Sequence, residues 1–460
     1  MTLAYIQDDI FRAYDIRGIV GEGLNAELMF WLGKAIGSEA LDLGEDCLLL
    51  GSDARLSSPE FTKQMKTGIL STGCSVIDLG QIPTPLLYFA THYLDVHSGV
   101  MITGSHNPKN YNGVKIVLKH QCLSDTQITV FKERIKSNDF HSGIGSLKNL
   151  EIKEAYLQHI LSDIKLKLSW KVVIDSGNAI TANVAPELFS RLGCRTTTLF
   201  CDIDGSFPNH HPDPTVTENL SDLITLVRRE EADLGIALDG DGDRVVLVSG
   251  SGKIIDADKL LMAFVKDILP QHEDATVVFD VKSSQHLHAL IEEYHGRPLM
   301  CRSGHSYVKK AMAESDALIG GEYSAHIFFK HRWFGFDDGI YAAVRFIELM
   351  DKNNFSADEI ISTLPESVNT PEIFIAVPEN QKFNLMQTLA QSFCIDGAQV
   401  DMLDGLRVSF DFGWGIIRAS NTTPNLMLRF EASTEQALLK IKSIFSHEIT
   451  RILPELSINI

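Results

Sequence analysis

The chain has 460 residues, 44% hydrophobic and 22% charged, which excludes intrinsic disorder and suggests about three domains. Lys and Arg number 41 against 60 Asp and Glu, and the resulting net charge of −19 disfavours a non-specific nucleic-acid binder. No run approaches the roughly 20 apolar residues of a membrane helix, and Met1 to Arg12 lacks a signal-peptide core. Seven scattered cysteines (Cys47, Cys74, Cys122, Cys194, Cys201, Cys301, Cys394) form no C-x-x-C pair, which points to reduced thiols and a cytoplasmic protein.

Short apolar, β-rich runs recur along the chain. Strands are expected at Cys47–Leu50, Ser75–Leu79 and Gly99–Thr103, again at Lys171–Ile174, Thr196–Phe200 and Leu234–Leu238, and again at Thr276–Phe279, Pro298–Cys301 and Ala317–Ile319. A helix-like stretch separates the first two strands of each set: Pro59–Thr72, Val184–Leu192 and Ser284–Tyr294. Continuous apolar strands alternating with amphipathic segments predict β-α-β units with sheets covered on both faces. Val245–Val248 and Lys253–Ile255 flank the turn Ser249–Gly252 and predict a hairpin, and Val114–Leu118 looks similar. The rhythm breaks at Asn369-Thr-Pro371, read as a linker. Beyond it come a helix near Leu385–Phe393, a strand-turn-strand near Gly405–Asp411, a loop from Arg418 to Pro424, a strand Leu426–Glu431 and a terminal helix. The expected fold class is α/β. Three similar α/β domains with mixed sheets (residues 1–150, 151–255 and 256–368) and a smaller C-terminal α+β domain (369–460) are expected to surround a central cleft.

The third strand of each set runs into a Gly-rich polar loop: Thr103-Gly-Ser-His-Asn-Pro108, Asp239-Gly-Asp-Gly-Asp-Arg244 and Gly320-Gly-Glu-Tyr-Ser-Ala-His326. Ligands of open α/β sheets bind at the carboxyl ends of strands, so three different chemistries are presented at equivalent places. In the second loop Asp239, Asp241 and Asp243 alternate with glycines, and three carboxylates so close repel unless a cation or strong donors lie between them. Hard oxygen ligands suit Mg²⁺ or Ca²⁺. An EF-hand would need Gly and Glu where Arg244 and Gly250 stand, so Mg²⁺ with a phosphate oxygen fits better, the alternative being a solvated acidic turn. Ser105 lacks a G-x-S-x-G context and reads either as a phosphate carrier beside a metal or as a capping serine of a turn. His106 is a turn residue or a neighbour of the chemistry. Arg17, Lys115, Arg244, Lys282 and Arg418 lie near glycine turns and are candidate anion donors or plain surface charges. Arg418 heads a loop with Ser420, Asn421 and Thr422, a plausible phosphate cradle, and His305 is either an acid/base group or a core histidine.

Together these motifs resemble the α-D-phosphohexomutase superfamily: Thr-Gly-Ser-His-Asn-Pro its phosphoserine loop, Asp-Gly-Asp-Gly-Asp-Arg its metal loop, Gly-Glu-Tyr-Ser-Ala-His its sugar loop and Arg-Ala-Ser-Asn-Thr-Thr-Pro its phosphate loop. Phe11-Arg-Ala-Tyr-Asp-Ile-Arg-Gly18 is similar to its N-terminal segment, and the motifs follow family order from residue 11 to 431. Within the superfamily the chain, Phe328–Tyr341 especially, most resembles the bacterial bifunctional mutases acting on mannose and glucose phosphates. It departs from the commoner Gly-Glu-Met-Ser-Gly-His at Tyr323 and Ala325.

The resemblance implies that Ser105 carries a phosphoryl group. It also implies that Ser105, Asp239, Asp241 and Asp243 hold one Mg²⁺ per chain, and that a hexose 1,6-bisphosphate serves as intermediate and activator. Tyr14, Lys282, Arg418, Ser420, Asn421 and Thr422 would bind the substrate's existing phosphate, and Asn107, Glu322, Ser324 and His326 the rest of the substrate. Lys115, His305 and Arg17 would move protons, the lysine needing a lowered pKa, and Arg244 would steady the phosphate or intermediate. Glu322 and Ser324 would hold O3 and O4, which glucose and mannose share, so dual specificity is expected. The alternatives are a phosphoglucosamine mutase, a metal-dependent sugar-phosphate phosphatase and a non-catalytic sugar-phosphate binder. A monomer is expected, a dimer being the alternative, with no nucleic-acid or membrane partner.

Overall fold

The computed structural model describes residues 10–12, 15–124, 126–378, 380–393, 395, 397–420 and 423–456. Three sheets repeat one strand order. In the first, Ser75–Gln81, Cys47–Ser52 and Gly99–Ile102 run parallel, and Tyr111–Leu118 returns antiparallel beside the third. Arg195–Leu199, Lys171–Asp175, Leu234–Leu238 and antiparallel Val245–Ser249 repeat it, as do Arg297–Cys301, Thr276–Asp280, Ile319–Gly321 and antiparallel Ile327–Phe329. The threefold rhythm of the sequence is therefore one β-α-β-α-β-β unit used three times. The third strand of the third unit is displaced from Ala317–Ile319 to Ile319–Gly321. The helix His305–Ser315 ends on Asp316 in the left-handed region, and the chain needs Ala317 and Leu318 to turn back before it can pair.

Helices form where the sequence supplies both an apolar face and a cap. Asn25 accepts the amide of Leu28 to start Ala26–Asp42, and Pro59 occupies the first turn of Ser58–Leu70. These two helices cross at Gly33 and Gly68, where a Cβ would meet the opposing backbone carbonyls of Met65 and Phe30 at 2.3 and 2.2 Å. One hydrophobic core threads the first three units, including Phe89, Leu188, Ile236, Phe264, Ile319 and Tyr341. At roughly 1.5–3 kcal/mol per large buried side chain it joins the units into one body. Among the described residues no helix is long and apolar enough to cross a membrane.

The fourth sheet is antiparallel and differs from the sequence expectation in three places. The run Leu406–Phe410 is a single strand whose partner is Gly413–Ala419, so the turn falls at Asp411-Phe412, where Gly413 carries a positive φ. Arg418 consequently sits on a strand end rather than in a loop. The expected linker is partly zipped to this sheet: Val368–Asn369 pairs with Asn425–Ala432, and Thr370 donates its amide to Phe430 O at 2.9 Å.

The helix Gly339–Asn353 is capped by Asp338, which accepts the amide of Tyr341 at 2.9 Å and the hydroxyl of Tyr156 at 2.9 Å. Burial, the largest influence, pushes the Asp338 carboxyl up to about 7. The folded chain thus keeps a proton that the unfolded chain loses near pH 4, so this contribution to stability is complete below about 4 and lost as pH rises through about 7. Asp338→Asn, which keeps an acceptor and carries no charge, is expected to flatten the fall in thermal midpoint between those limits. A slope equal to that of the parent protein would contradict it.

Candidate active site

The serine loop stands on a polar pedestal. Asp53, just past the first central strand, accepts from Thr103 Oγ1 at 2.8 Å, from Ser58 Oγ at 2.5 Å and from the amide of Gly104 at 3.1 Å. The fully buried Arg55 pairs with Asp53 at 3.2 Å and donates to the carbonyls of Ser105, Asn107 and Pro108, each at 2.6 Å, and of Tyr111 at 3.0 Å. Gly104 lies flat on this guanidinium, and a Cβ there would meet Arg55 Nε at 2.5 Å. The loop is held so tightly that Ser105 adopts φ 47°, an uncommon conformation for a non-glycine residue. Its Oγ then donates to Asp239 Oδ2 at 2.8 Å and lies 3.2 Å from His106 Nδ1. Burial pushes the His106 imidazole well below its usual range. Arg17 donates to Asn107 Oδ1 at 2.5 Å and pairs with Asp15 at 2.6 Å, so it braces the same loop.

The acidic loop meets the serine loop backbone to backbone. Gly240 has no alternative, since a Cβ would lie 2.3 Å from Ser105 O, and Gly242 carries φ 81°. Asp239, Asp241 and Asp243 are each 0% exposed, and their ligand oxygens all lie within 4.8 Å of one another. Asp239 Oδ1 accepts the amides of Gly242 and Arg244, and Asp241 Oδ2 accepts Thr84 Oγ1 at 2.5 Å. Lys115 donates to Asp241 at 2.7 Å and also pairs with Asp243. Two oxygens, Asp241 Oδ1 and Asp243 Oδ1, are buried without a hydrogen-bond partner. Burial and the neighbouring Asp241 and Asp243 push Asp239 well above the ordinary carboxylate range. Three buried carboxylates that share one ammonium and keep unused lone pairs are a donor set that suits a hard cation, so the triad can hold a metal ion.

Lys115 departs from expectation. Burial alone would lower its pKa, but Asp241, Asp243, Asp337 and Asp239 outweigh it and raise the ammonium above its usual value. The anticipated lowering by neighbouring cations is not what its surroundings supply: it faces carboxylates.

The third loop is hung on His326. Its Nε2 accepts from Arg244 Nε at 3.0 Å and its Nδ1 faces Asp337 Oδ2 at 3.0 Å, which fixes the proton on Nδ1. Lys309 holds the other side of Asp337 at 2.7 Å. His305, at the start of the helix after Gly304, stacks on His326 with centroids 5.7 Å apart, and burial followed by Lys309 and Lys115 pushes its pKa well down. Glu322 accepts the amide of Gly304 at 2.7 Å, its other oxygen is buried without a partner, and burial raises its pKa. Ser324 is half-buried beside it. Ala325, where the commoner loop has glycine, takes φ 73° and tucks its methyl into the core around Val246.

Lys282, just past the third unit's strand Thr276–Asp280, ties the fourth domain to this site: it pairs with Glu372 at 2.9 Å and feels the charge of Arg418. Arg418 itself pairs with Asp404 at 3.0 Å, and Ser420 Oγ accepts from Thr423. Ser105, the three aspartates, Lys115, Arg17, Asn107, Arg244, His305, Glu322 and His326 are thus gathered in one place, while Arg418 and Ser420 stand on its fourth-domain wall. Tyr14, Asn421 and Thr422 lie outside the described residues. Sequence reasoning missed Asp53, Arg55, Thr84, Asp280 and Asp337. Asp280 accepts from Ser283, from Ser303 at 2.6 Å and from the amide of Tyr323, doing for the third loop what Asp53 does for the first.

Four consecutive stretches match phosphoglucomutase/phosphomannomutase domains: alpha/beta/alpha domain I over residues 8–142, domain II over 154–252, domain III over 256–368 and the C-terminal domain over 372–447. The chain is 49% identical over 440 residues to the phosphomannomutase/phosphoglucomutase of Pseudomonas aeruginosa, covering 96% of this chain and 95% of that one. It is 43% identical to a phosphoglucomutase of Neisseria gonorrhoeae, covering 96% and 97%. A crystal structure of a phosphoglucomutase/phosphomannomutase family protein from Burkholderia thailandensis superposes with TM-score 0.94 at 39% identity, covering 98% of this chain and 99% of that one. The chain belongs to the phosphoglucomutase/phosphomannomutase family.

Proposed function

We propose that this protein is an intramolecular phosphotransferase that interconverts the 1- and 6-phosphates of glucose and mannose. The observation that carries the reading is Ser105 Oγ, 2.8 Å from Asp239 in a buried group of three carboxylates, two of whose oxygens have no partner. Mg²⁺ held by Asp239, Asp241 and Asp243 with a Ser105 phosphate oxygen would offset the charge of a phosphorylated serine. The phosphoserine loop belongs to the domain proposed for residues 1–150, the metal loop to 151–255, the sugar loop to 256–368 and the phosphate wall to 369–460.

Ser105 passes its phosphoryl group to O6 of a hexose 1-phosphate, giving a 1,6-bisphosphate, and takes one back from O1, leaving the 6-phosphate. Lys282, Arg418 and Ser420, with Tyr14, Asn421 and Thr422, receive the phosphate that is not reacting. Asn107 and Arg17 steady the serine loop and, with Arg244, the phosphate in transit. Lys115 and His305 are pushed in opposite directions by their surroundings, the first kept charged and the second neutral. Both move protons at the sugar hydroxyls. Glu322 and Ser324 read O3 and O4, and His326, fixed by Arg244 and Asp337, sets their loop. The protein is read as cytoplasmic, a reading supported by the six described cysteines, all of them free of disulfides.

Intact mass of the purified protein, before and after priming with glucose 1,6-bisphosphate, is expected to reveal one phosphoryl group that maps to Ser105. With Mg²⁺, glucose and mannose 1-phosphates should both yield 6-phosphates at kcat/KM values within about tenfold, with glucosamine 1-phosphate poorer, and EDTA should stop turnover. Inorganic phosphate released in step with turnover would instead mark a phosphatase and refute the reading.

A further inference from the structure

Behind the site, between the first and third units, lies a cavity of about 290 Å³ lined by Tyr88, Cys122, Lys309, Phe334 and Phe336 among others. The mechanism above uses none of these side chains directly. Cys122, in the short strand Gln121–Cys122, is unpaired and part-exposed. The ammonium of Lys309 lines the same cavity as Cys122, donates to Asp337 Oδ1 at 2.7 Å and rests 4.2 Å over the Tyr88 ring. Tyr88 is 2% exposed, yet its hydroxyl makes no hydrogen bond among the described residues. A buried hydroxyl without an acceptor is costly and uncommon, and here Tyr88 lines the same cavity as the Cys122 side chain and the Lys309 ammonium. Burial pushes the thiols of Cys74 and Cys194 up to about 12 and also raises those of Cys47, Cys201 and Cys301.

We propose that Cys122 is an oxidation site, converted by hydrogen peroxide to a sulfenic acid that the cavity accommodates and that slows the enzyme through Asp337. The sulfur attacks one peroxide oxygen; an S–O bond forms as the O–O bond breaks, and the departing hydroxide takes the thiol proton and leaves as water. Sulfur is oxidised by two electrons and peroxide is reduced by two. The new oxygen is the acceptor that the Tyr88 hydroxyl lacks, and it competes with Asp337 for Lys309. Asp337 holds His326 at 3.0 Å, so its displacement reaches the third loop without any contact between sulfur and substrate. The slowing rests on the mutase reading; the oxidation does not.

The full-length protein is treated with hydrogen peroxide, trapped with dimedone and mapped by peptide mass while mutase rate is followed. A dimedone adduct at Cys122 ahead of the other cysteines is expected, with a rate loss on the order of tenfold that dithiothreitol reverses. Cys122→Ser should keep the basal rate and become insensitive. Tyr88→Phe, which removes only the unpartnered hydroxyl, should fold normally and shorten the lifetime of the sulfenic acid. No adduct at Cys122, an adduct with no change in rate, or equal sensitivity of Cys122→Ser overturns the proposal. An untreated protein without mutase activity would instead refute the functional reading, and the adduct map would still report on Cys122.

Discussion

Replacing Ser105 by alanine is expected to lower mutase turnover by a thousandfold or more, on the order seen when a nucleophile is removed, while leaving the fold and sugar-phosphate binding close to normal. The split follows from how the loop is built. Thr103, Gly104 and the carbonyl of Ser105 are held by Asp53 and Arg55, none of which touches the Ser105 hydroxyl. Alanine tolerates φ 47° no worse than serine does, so the variant loses only the hydroxyl's bond to Asp239 and its weaker contact with His106. That is about 1 kcal/mol of stability. Turnover is checked by coupled detection of glucose 6-phosphate, binding by calorimetry with glucose 1-phosphate, and the phosphoryl group by intact mass. Full activity in the alanine protein would remove Ser105 from the chemistry altogether.

The largest loss of stability is expected from Arg55→Met. The substitution keeps most of the volume but removes one guanidinium that serves four carbonyls and Asp53 in a fully buried place. Breaking a buried charge pair from one side costs about 3–5 kcal/mol, because the partner carboxylate is left uncompensated. The carbonyls of Ser105, Asn107, Pro108 and Tyr111 lose their donor at the same stroke. Arg55→Lys cannot reproduce the effect of the parent residue, since one ammonium has three donors and no planar fork. Urea denaturation should show a lower midpoint for both variants, larger for methionine, with mutase rate falling in step. A methionine variant with parental midpoint and rate would mean that the pedestal positions nothing.

The architecture could be read in the sequence because a parallel sheet covered on both faces leaves continuous apolar strands, and Lys171–Asp175, Leu234–Leu238 and Thr276–Asp280 are of that kind. The acidic loop could be read because five adjacent residues carry it. Asp53, Asp175 and Asp280 were harder to see. Each lies at or just past the end of the first strand of its unit and collects donors from a loop distant in sequence: Thr103 and Gly104, His210 at 3.1 Å, Ser303 and Tyr323. An aspartate at the same point of every repeat was the available signal, but a single carboxylate after a strand looks like any turn residue until its partners are in space. Asp337 escaped for the same reason, since its partners His326 and Lys309 come from separate elements. Electrostatic sign was equally out of reach: only the assembled site shows that Lys115 is surrounded by carboxylates rather than cations.

Tyr323 takes the place of the commoner methionine, and the guanidinium of Arg429, a residue of the fourth sheet, lies 3.7 Å from the centroid of its ring. Arg429 also donates to the carbonyl of Lys282 and approaches Asp258 at 3.7 Å, so the third loop and the C-terminal domain share one clasp. Such a contact is worth about 2 kcal/mol when desolvated. The two positions are therefore bound to change as a couple: a chimera that imports the C-terminal domain of a methionine-bearing relative inherits a mismatch at the seam unless residue 323 travels with it.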